Sequence, residues 1–105
     1  MVHEISPGTL KSRLETGDPP LVLDVREPWE RDIARLPNTT DIPMGEVARR
    51  LGELARDRDI VVMCRSGGRS RKVAEYLDAQ GYRVSNLTGG ILAWAADIDP
   101  TLKTY

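Results

Sequence analysis

Apolar positions fall into short blocks separated by polar or glycine-rich breaks, and the spacing inside each block separates strands from helices. Ile60-Val61-Val62-Met63 is the clearest strand, a continuous apolar run that ends directly at Cys64. Residues 21–25, interrupted only by Asp24, and residues 83–87 read as two more, and such runs suit strands buried on both faces of a parallel sheet. Helical spacing starts with Leu10 and Leu14, which follow a Ser6 N-cap and a first-turn Pro7 and precede Gly17 as the closing cap. Val47, Leu51 and Leu54 predict a second helix over 45–55. Val73, Tyr76 and Leu77 form the inward face of a third over 70–80, capped by Gly81, and residues 91–96 make a short apolar helix after a Gly89-Gly90 turn. Residues 26–41 read as a loop with one helical turn near 28–32, and residues 97–105 as a tail packed on the surface. Alternating helices and short buried strands predict an α/β fold. We expect one domain, residues 1–105, with helices on both faces of a parallel sheet and right-handed crossovers.

Composition narrows the class. A chain of 105 residues, 40% apolar and 30% charged, has room for one core and fits a soluble fold rather than a disordered one. Lys+Arg number 15 against 16 Asp+Glu, and the resulting charge of −1 removes the case for generic nucleic-acid or membrane-surface binding. No apolar run exceeds six residues, too few to span a bilayer, and the cytoplasm is the expected location. A single Cys cannot close an intrachain disulfide, and one Cys with one His cannot build a structural zinc site. Neither metal nor cofactor is expected, and Cys64 is either inert filler or a reagent.

The residues after Cys64 decide between the two. In parallel α/β sheets, ligands bind beyond the carboxyl ends of strands, where loops meet helix N-termini, and Cys64 stands at such a point. In Arg65-Ser66-Gly67-Gly68-Arg69-Ser70, the two glycines permit a tight turn with converging N–H groups, and the helix starting near Ser70 adds its positive end. Between Arg65 and Lys72 lie four basic residues and no acidic one, so an anion is expected there. The segment would fill a core badly, because its many donors need water or an anion. An ordinary thiol, with a pKa of about 8.5, is only a few per cent thiolate at pH 7. Lowering that value by about two units requires roughly 2.7 kcal/mol of preferential stabilisation, within reach of two or three N–H groups, a helix end and a guanidinium. His3 lies in or before the first strand, so no Cys–His dyad is expected. This reading requires a thiol open to water and loop amides that point at it.

Cys64-Arg65-Ser66-Gly67-Gly68-Arg69-Ser70 resembles the active-site loop of the rhodanese (sulfurtransferase) family. Leu23-Asp24-Val25-Arg26-Glu27-Pro28, Asp41-Ile42-Pro43 and Leu87-Thr88-Gly89-Gly90-Ile91-Leu92-Ala93-Trp94 resemble further landmarks of that family in the same order. Arg35-Leu36-Pro37-Asn38-Thr39 departs from it, standing where many members have His-Ile-Pro-Gly-Ala. The resemblance implies a persulfide cycle. Cys64 takes a sulfur from a small anionic donor such as thiosulfate and passes it to a thiol, to cyanide or to a sulfur-carrier protein. It also implies that the amides of Ser66, Gly67 and Gly68 hold the transferred sulfur, that Arg65 and Arg69 neutralise the donor, and that Ser66 and Ser70 add hydrogen bonds, Ser70 being equally readable as a helix N-cap. The tail resembles the ending of rhodanese domains attached to molybdopterin-synthase adenylyltransferases, which implies a ubiquitin-like sulfur carrier as acceptor in molybdopterin or thiamine synthesis.

Other residues read more plainly as structure: Asp24 in a salt bridge with a nearby Arg, Arg26 and Glu27 as structural or surface charges, Trp29 beside the pocket, Trp94 in the core, and the Arg49-Arg50 and Arg56 to Asp59 groups as solvated faces. Two competing functions share the fold class. A phosphatase or arsenate reductase also uses a Cys-based anion cradle, but its pattern has one more residue than the four between Cys64 and Arg69. A non-catalytic interaction module would have no use for Cys64 together with both arginines.

Overall fold

Period-two alternation along the central strands explains how one sheet feeds two cores. A computed structural model describes residues 2–105. Its five strands are β1 (His3–Ile5), β2 (Leu21–Asp24), β3 (Thr40–Asp41), β4 (Ile60–Met63) and β5 (Val84–Leu87), all parallel, in the order β1-β5-β4-β2-β3. Leu21, Leu23, Ile60, Val62 and Val84 point to one face, where they pack with Val73, Ala74 and Leu77 of helix α3 (Gly68–Ala79). Val22, Val61, Met63 and Leu87 point to the other, against Leu10 of α1 (Pro7–Leu14) and Ile91 and Trp94 of α4 (Gly90–Asp97). A fourth helix, α2 (Pro28–Ile33), follows β2. Cys64 continues the Ile60 and Val62 parity, which brings its side chain out on the α3 face.

The expected α/β architecture is present, with local corrections. Ser6 does cap α1, its hydroxyl accepting from the Thr9 amide at 3.2 Å, but the helix closes at Glu15 and Gly17 is not its cap. The helix predicted over 45–55 is two 3-10 segments, Met44–Glu46 and Ala48–Glu53, the second kinked at Arg50 (φ −113°, ψ 20°). Two glycines in that stretch weaken an α-helix, while burial of Val47 and Leu54 keeps the predicted apolar face. Tyr76 is 37% exposed and not inward, because the buried stripe of α3 runs through Val73, Ala74 and Leu77 and leaves Tyr76 at its margin. Gly81 does end α3, with φ 92° and the Tyr82 amide returning to the Leu77 carbonyl at 3.1 Å. The tail is not a mere surface covering, since Leu102 and Tyr105 pack against the α1/α4 core. β3, two residues long, is too short for any periodicity to reveal. Among the described residues no helix is long and apolar enough to cross a membrane.

Candidate active site

Four elements bring the site together at the carboxyl end of the sheet. β4 delivers Cys64, and the chain then turns at Gly67, whose φ of 105° is the left-handed conformation that favours glycine. That turn aims the Gly67 N–H at Cys64 Sγ, 3.1 Å away, and starts α3 immediately afterwards. Ser70 therefore sits inside the first turn of α3 and is not its N-cap, a position that points its hydroxyl back at the sulfur at 3.3 Å. β5 supplies Asn86, whose Oδ1 accepts from Ser70 Oγ at 2.5 Å. The Asn86 Nδ2 donates to Glu4 at 3.1 Å and to the Gly67 carbonyl at 3.2 Å, which fixes the amide orientation and ties the turn to the sheet. A hydroxyl has one proton. Ser70 gives it either to Asn86 or to a Cys64 thiolate, and with the proton on Asn86 it accepts from the thiol.

From the other side the loop is braced by α4. The Ile91 amide donates to the Cys64 carbonyl at 2.9 Å and the Leu92 amide to the Arg65 carbonyl at 3.1 Å. Gly90 makes that approach possible: with φ 60°, a Cβ there would lie 2.4 Å from the Arg65 carbonyl oxygen. The Gly-Gly of the Leu87 to Trp94 motif thus serves backbone contact with the Cys64 loop.

Burial tends to raise the pKa of the Cys64 thiol, but the Ser70 hydroxyl and the amides of Ser70, Gly67 and Ser66 outweigh it, and the thiol is held below its ordinary value. The sequence requires a thiol open to water, and here the structure corrects it: Cys64 is only 1% exposed. The ring of donors that stabilises the anion closes over it. The Gly67 amide points at the sulfur as expected, and the amides of Ser66 and Ser70 help to lower its pKa. Gly68 takes ordinary helical geometry and adds no special turn, and Ser66 is exposed, acting through its amide and not its hydroxyl.

The two loop arginines differ. Both terminal nitrogens of Arg69 are bound to Glu30, at 2.6 and 2.7 Å. Those paired bonds, opposed by burial and helped by the Glu27 amide and the Tyr105 hydroxyl, lower the Glu30 pKa to about 2. Arg65 donates through Nε to the Tyr105 backbone oxygen, and its guanidinium lies 5.2 Å from the centre of the Tyr105 ring. Asp24 pairs with a fully buried Arg26, Nη2 to Oδ2 at 2.9 Å, and accepts the Arg26 amide as well. Arg26 then reaches the Glu30 and Ala34 carbonyls and the Tyr105 hydroxyl. Sequence reasoning missed Glu30, Asn86 and Tyr105. A polar Asn at a buried position of β5 is the one available signal; the other two are joined to the site only by folding.

The family model described as the Rhodanese-like domain matches residues 6–97. The chain belongs to the rhodanese (sulfurtransferase) family. A sulfurtransferase of Allochromatium vinosum is 44% identical over 96 residues, covering 90% of each chain. The crystal structure of a rhodanese-like domain protein from Staphylococcus aureus superposes with a TM-score of 0.86 at 32% identity, covering 99% of both chains. The adenylyltransferase and sulfurtransferase MOCS3 of Sus scrofa is 35% identical over 116 residues, which span 90% of this chain but 26% of that longer protein. The matched span, residues 6–97, takes in every segment on which the family resemblance rests, from Leu23 to Trp94.

Proposed function

We propose that this rhodanese domain is a sulfurtransferase that carries sulfur as a Cys64 persulfide and accepts thiosulfate as a donor. One observation carries the reading: the amides of Ser66, Gly67 and Ser70 and the Ser70 hydroxyl converge on a single sulfur atom and hold its pKa down. The Cys64 thiolate attacks the outer sulfur of thiosulfate. The donor's S–S bond breaks, its electron pair leaves on sulfite, and a new S–S bond joins the outer sulfur to Cys64. Charge is conserved and no outside oxidant or reductant enters. The terminal sulfur of the persulfide is anionic, and the loop amides, Gly68 included, are the donors that hold it. A thiol or cyanide then attacks that sulfur and restores the thiolate.

Arg65 has two terminal Nη groups with no partner in the chain among the described residues, which suits it to meet an anionic donor. Arg69, committed to Glu30, supplies a fixed positive charge near the sulfur. With Cys64 1% exposed, attack on a donor sulfur requires the loop over the thiolate to move aside first, and until then the closed cradle keeps bulk water out. These features argue against a phosphatase or arsenate reductase, in which a longer loop and a disengaged arginine would have to wrap a tetrahedral oxyanion. A binding-only module leaves the depressed thiol pKa without a purpose.

A sulfur-carrier protein is the second acceptor the reading includes, supported by the match to a protein named for both adenylyl and sulfur transfer. The reducing cytoplasm suits such a reactive thiol. Incubation with thiosulfate should add the mass of one sulfur atom to the protein, and cyanide should remove it as thiocyanate. Cys64→Ser should fold normally and take up nothing. Uptake of sulfur by that variant, or cleavage of a phosphate ester by the wild type with thiosulfate untouched, would overturn the assignment.

A further inference from the structure

The mechanism above uses Arg65 but leaves unexplained why its guanidinium should be anywhere in particular, since the side chain is long and starts on a loop. Tyr105 supplies the constraint. Forty residues further along the chain, it meets Arg65 twice: its backbone oxygen accepts from Nε, and its ring lies under the guanidinium at 5.2 Å. The ring is itself fixed. Its hydroxyl donates to Glu30 Oε2 at 2.7 Å and accepts from Arg26 Nη1 at 3.0 Å, and the Trp29 ring stands edge-on to it at 5.9 Å. Glu30 and Arg26 are buried groups, 2% and 0% exposed, so the phenol is anchored to the interior and not to another mobile surface chain. With Nε occupied, the two Nη groups of Arg65 are left as a planar pair, the arrangement that grips two oxygens of one anion.

We propose that Tyr105 is a positioning residue for donor capture: it holds the Arg65 guanidinium so that its terminal pair is presented to an anionic sulfur donor, and thereby favours donors of higher charge. The inference rests on the sulfurtransferase reading and deepens it. Tyr105 touches neither Cys64 nor the transferred sulfur, so its removal acts on capture of the donor more than on the transfer step. The effect runs through Arg65.

Steady-state rates with thiosulfate, a dianion, and with benzenethiosulfonate, a monoanion that donates the same sulfur, test it on the full chain. Tyr105→Ala should raise KM for thiosulfate about tenfold and for benzenethiosulfonate about threefold, with kcat within about twofold of wild type. Tyr105→Phe, which keeps the ring and loses only the hydroxyl anchor, should fall between, and covers the case in which the alanine variant fails to fold. In an Arg65→Ala background, Tyr105→Ala should add less than about twofold. Equal losses with both donors, losses confined to kcat, or full additivity with Arg65→Ala would overturn the proposal. If the wild type takes no sulfur from either donor, the sulfurtransferase reading falls and this inference with it; if the wild type turns over and both Tyr105 variants match it, only this inference falls.

Discussion

The two ends of the sheet both gather arginines around carboxylates, yet they do so in opposite physical regimes. At the amino end Asp59 pairs with Arg13 and Arg83, each at 2.8 Å, with all three side chains between 35% and 62% exposed. At the carboxyl end Asp24, Arg26 and Glu30 are buried, and every polar atom among the described buried side chains has a partner. Pairs in water contribute little, because solvent and salt screen them and long side chains lose freedom. A buried set is different: removing one member strands the charge of another. Burial therefore turns the carboxyl-end set into a scaffold, through which Glu30 fixes Arg69 and, by way of Tyr105, Arg65. The amino-end set is a solvated surface, as the sequence reading of the Arg56 to Asp59 group expected.

The largest effect that should separate the ends is not a charge change. Gly90→Ala places a Cβ 2.4 Å from the Arg65 carbonyl oxygen, at a φ of 60° that side-chain-bearing residues rarely adopt. Neither α4 nor the Cys64 loop can yield without breaking the 2.9 and 3.1 Å bonds between them. We expect a loss of roughly 3 kcal/mol or more in urea unfolding, together with loss of sulfur uptake. The same change at Gly17 or Gly52, where a Cβ meets nothing within 4 Å, should leave both nearly unchanged.

Glu30→Gln comes next, because it sharpens the contrast by charge alone. The substitution keeps the shape and one acceptor but removes the charge that pairs with Arg69, at an expected cost of about 2–3 kcal/mol at neutral pH. The sign of its pH dependence follows from the folded value of about 2 against an ordinary 4.5. A carboxylate whose folded pKa is depressed adds its full stability above the unfolded pKa and loses it as pH falls toward the folded one. The stability gap between wild type and Glu30→Gln should therefore be constant above about pH 5 and shrink between pH 4.5 and 2, as read by unfolding at a series of pH values. A gap that widened on acidification would mean that Glu30 is protonated in the folded protein.

How much of this was legible beforehand depended on the range of each contact. The Ile60–Met63 strand, the Cys64 loop and the amide turn at Gly67 are written in neighbouring residues, and the sequence predicts them correctly. So is the burial of Trp94. The sequence reads Ser70 as the start of its helix, but Gly67, in the left-handed region, starts α3 before the serine. The sequence reads Arg69 as a charge for the donor because its partner Glu30 stands 39 positions away, and Tyr105 as surface tail because Glu30 is 75 positions from it. No local pattern encodes such distances. Closure of the cradle over Cys64 was likewise invisible, since accessibility belongs to the packed whole and not to the loop.

The smallest expected effect lies at the amino end, and its smallness is the point. Asp59→Asn removes the carboxylate that Arg13 and Arg83 share, and the Arg13 bond, with help from Arg83, does lower the Asp59 pKa against the opposing effect of burial. With Asp59 47% exposed, however, water can replace both partners, and the two arginines lose a neighbour without being left in a dry interior. The expected change is below about 1 kcal/mol, smaller still at high salt, with sulfur uptake unaltered. Unfolding of both proteins at low and high salt would measure it. A salt-insensitive loss as large as that of Glu30→Gln would mean that exposure does not separate the two ends, and that the buried network owes its strength to geometry instead.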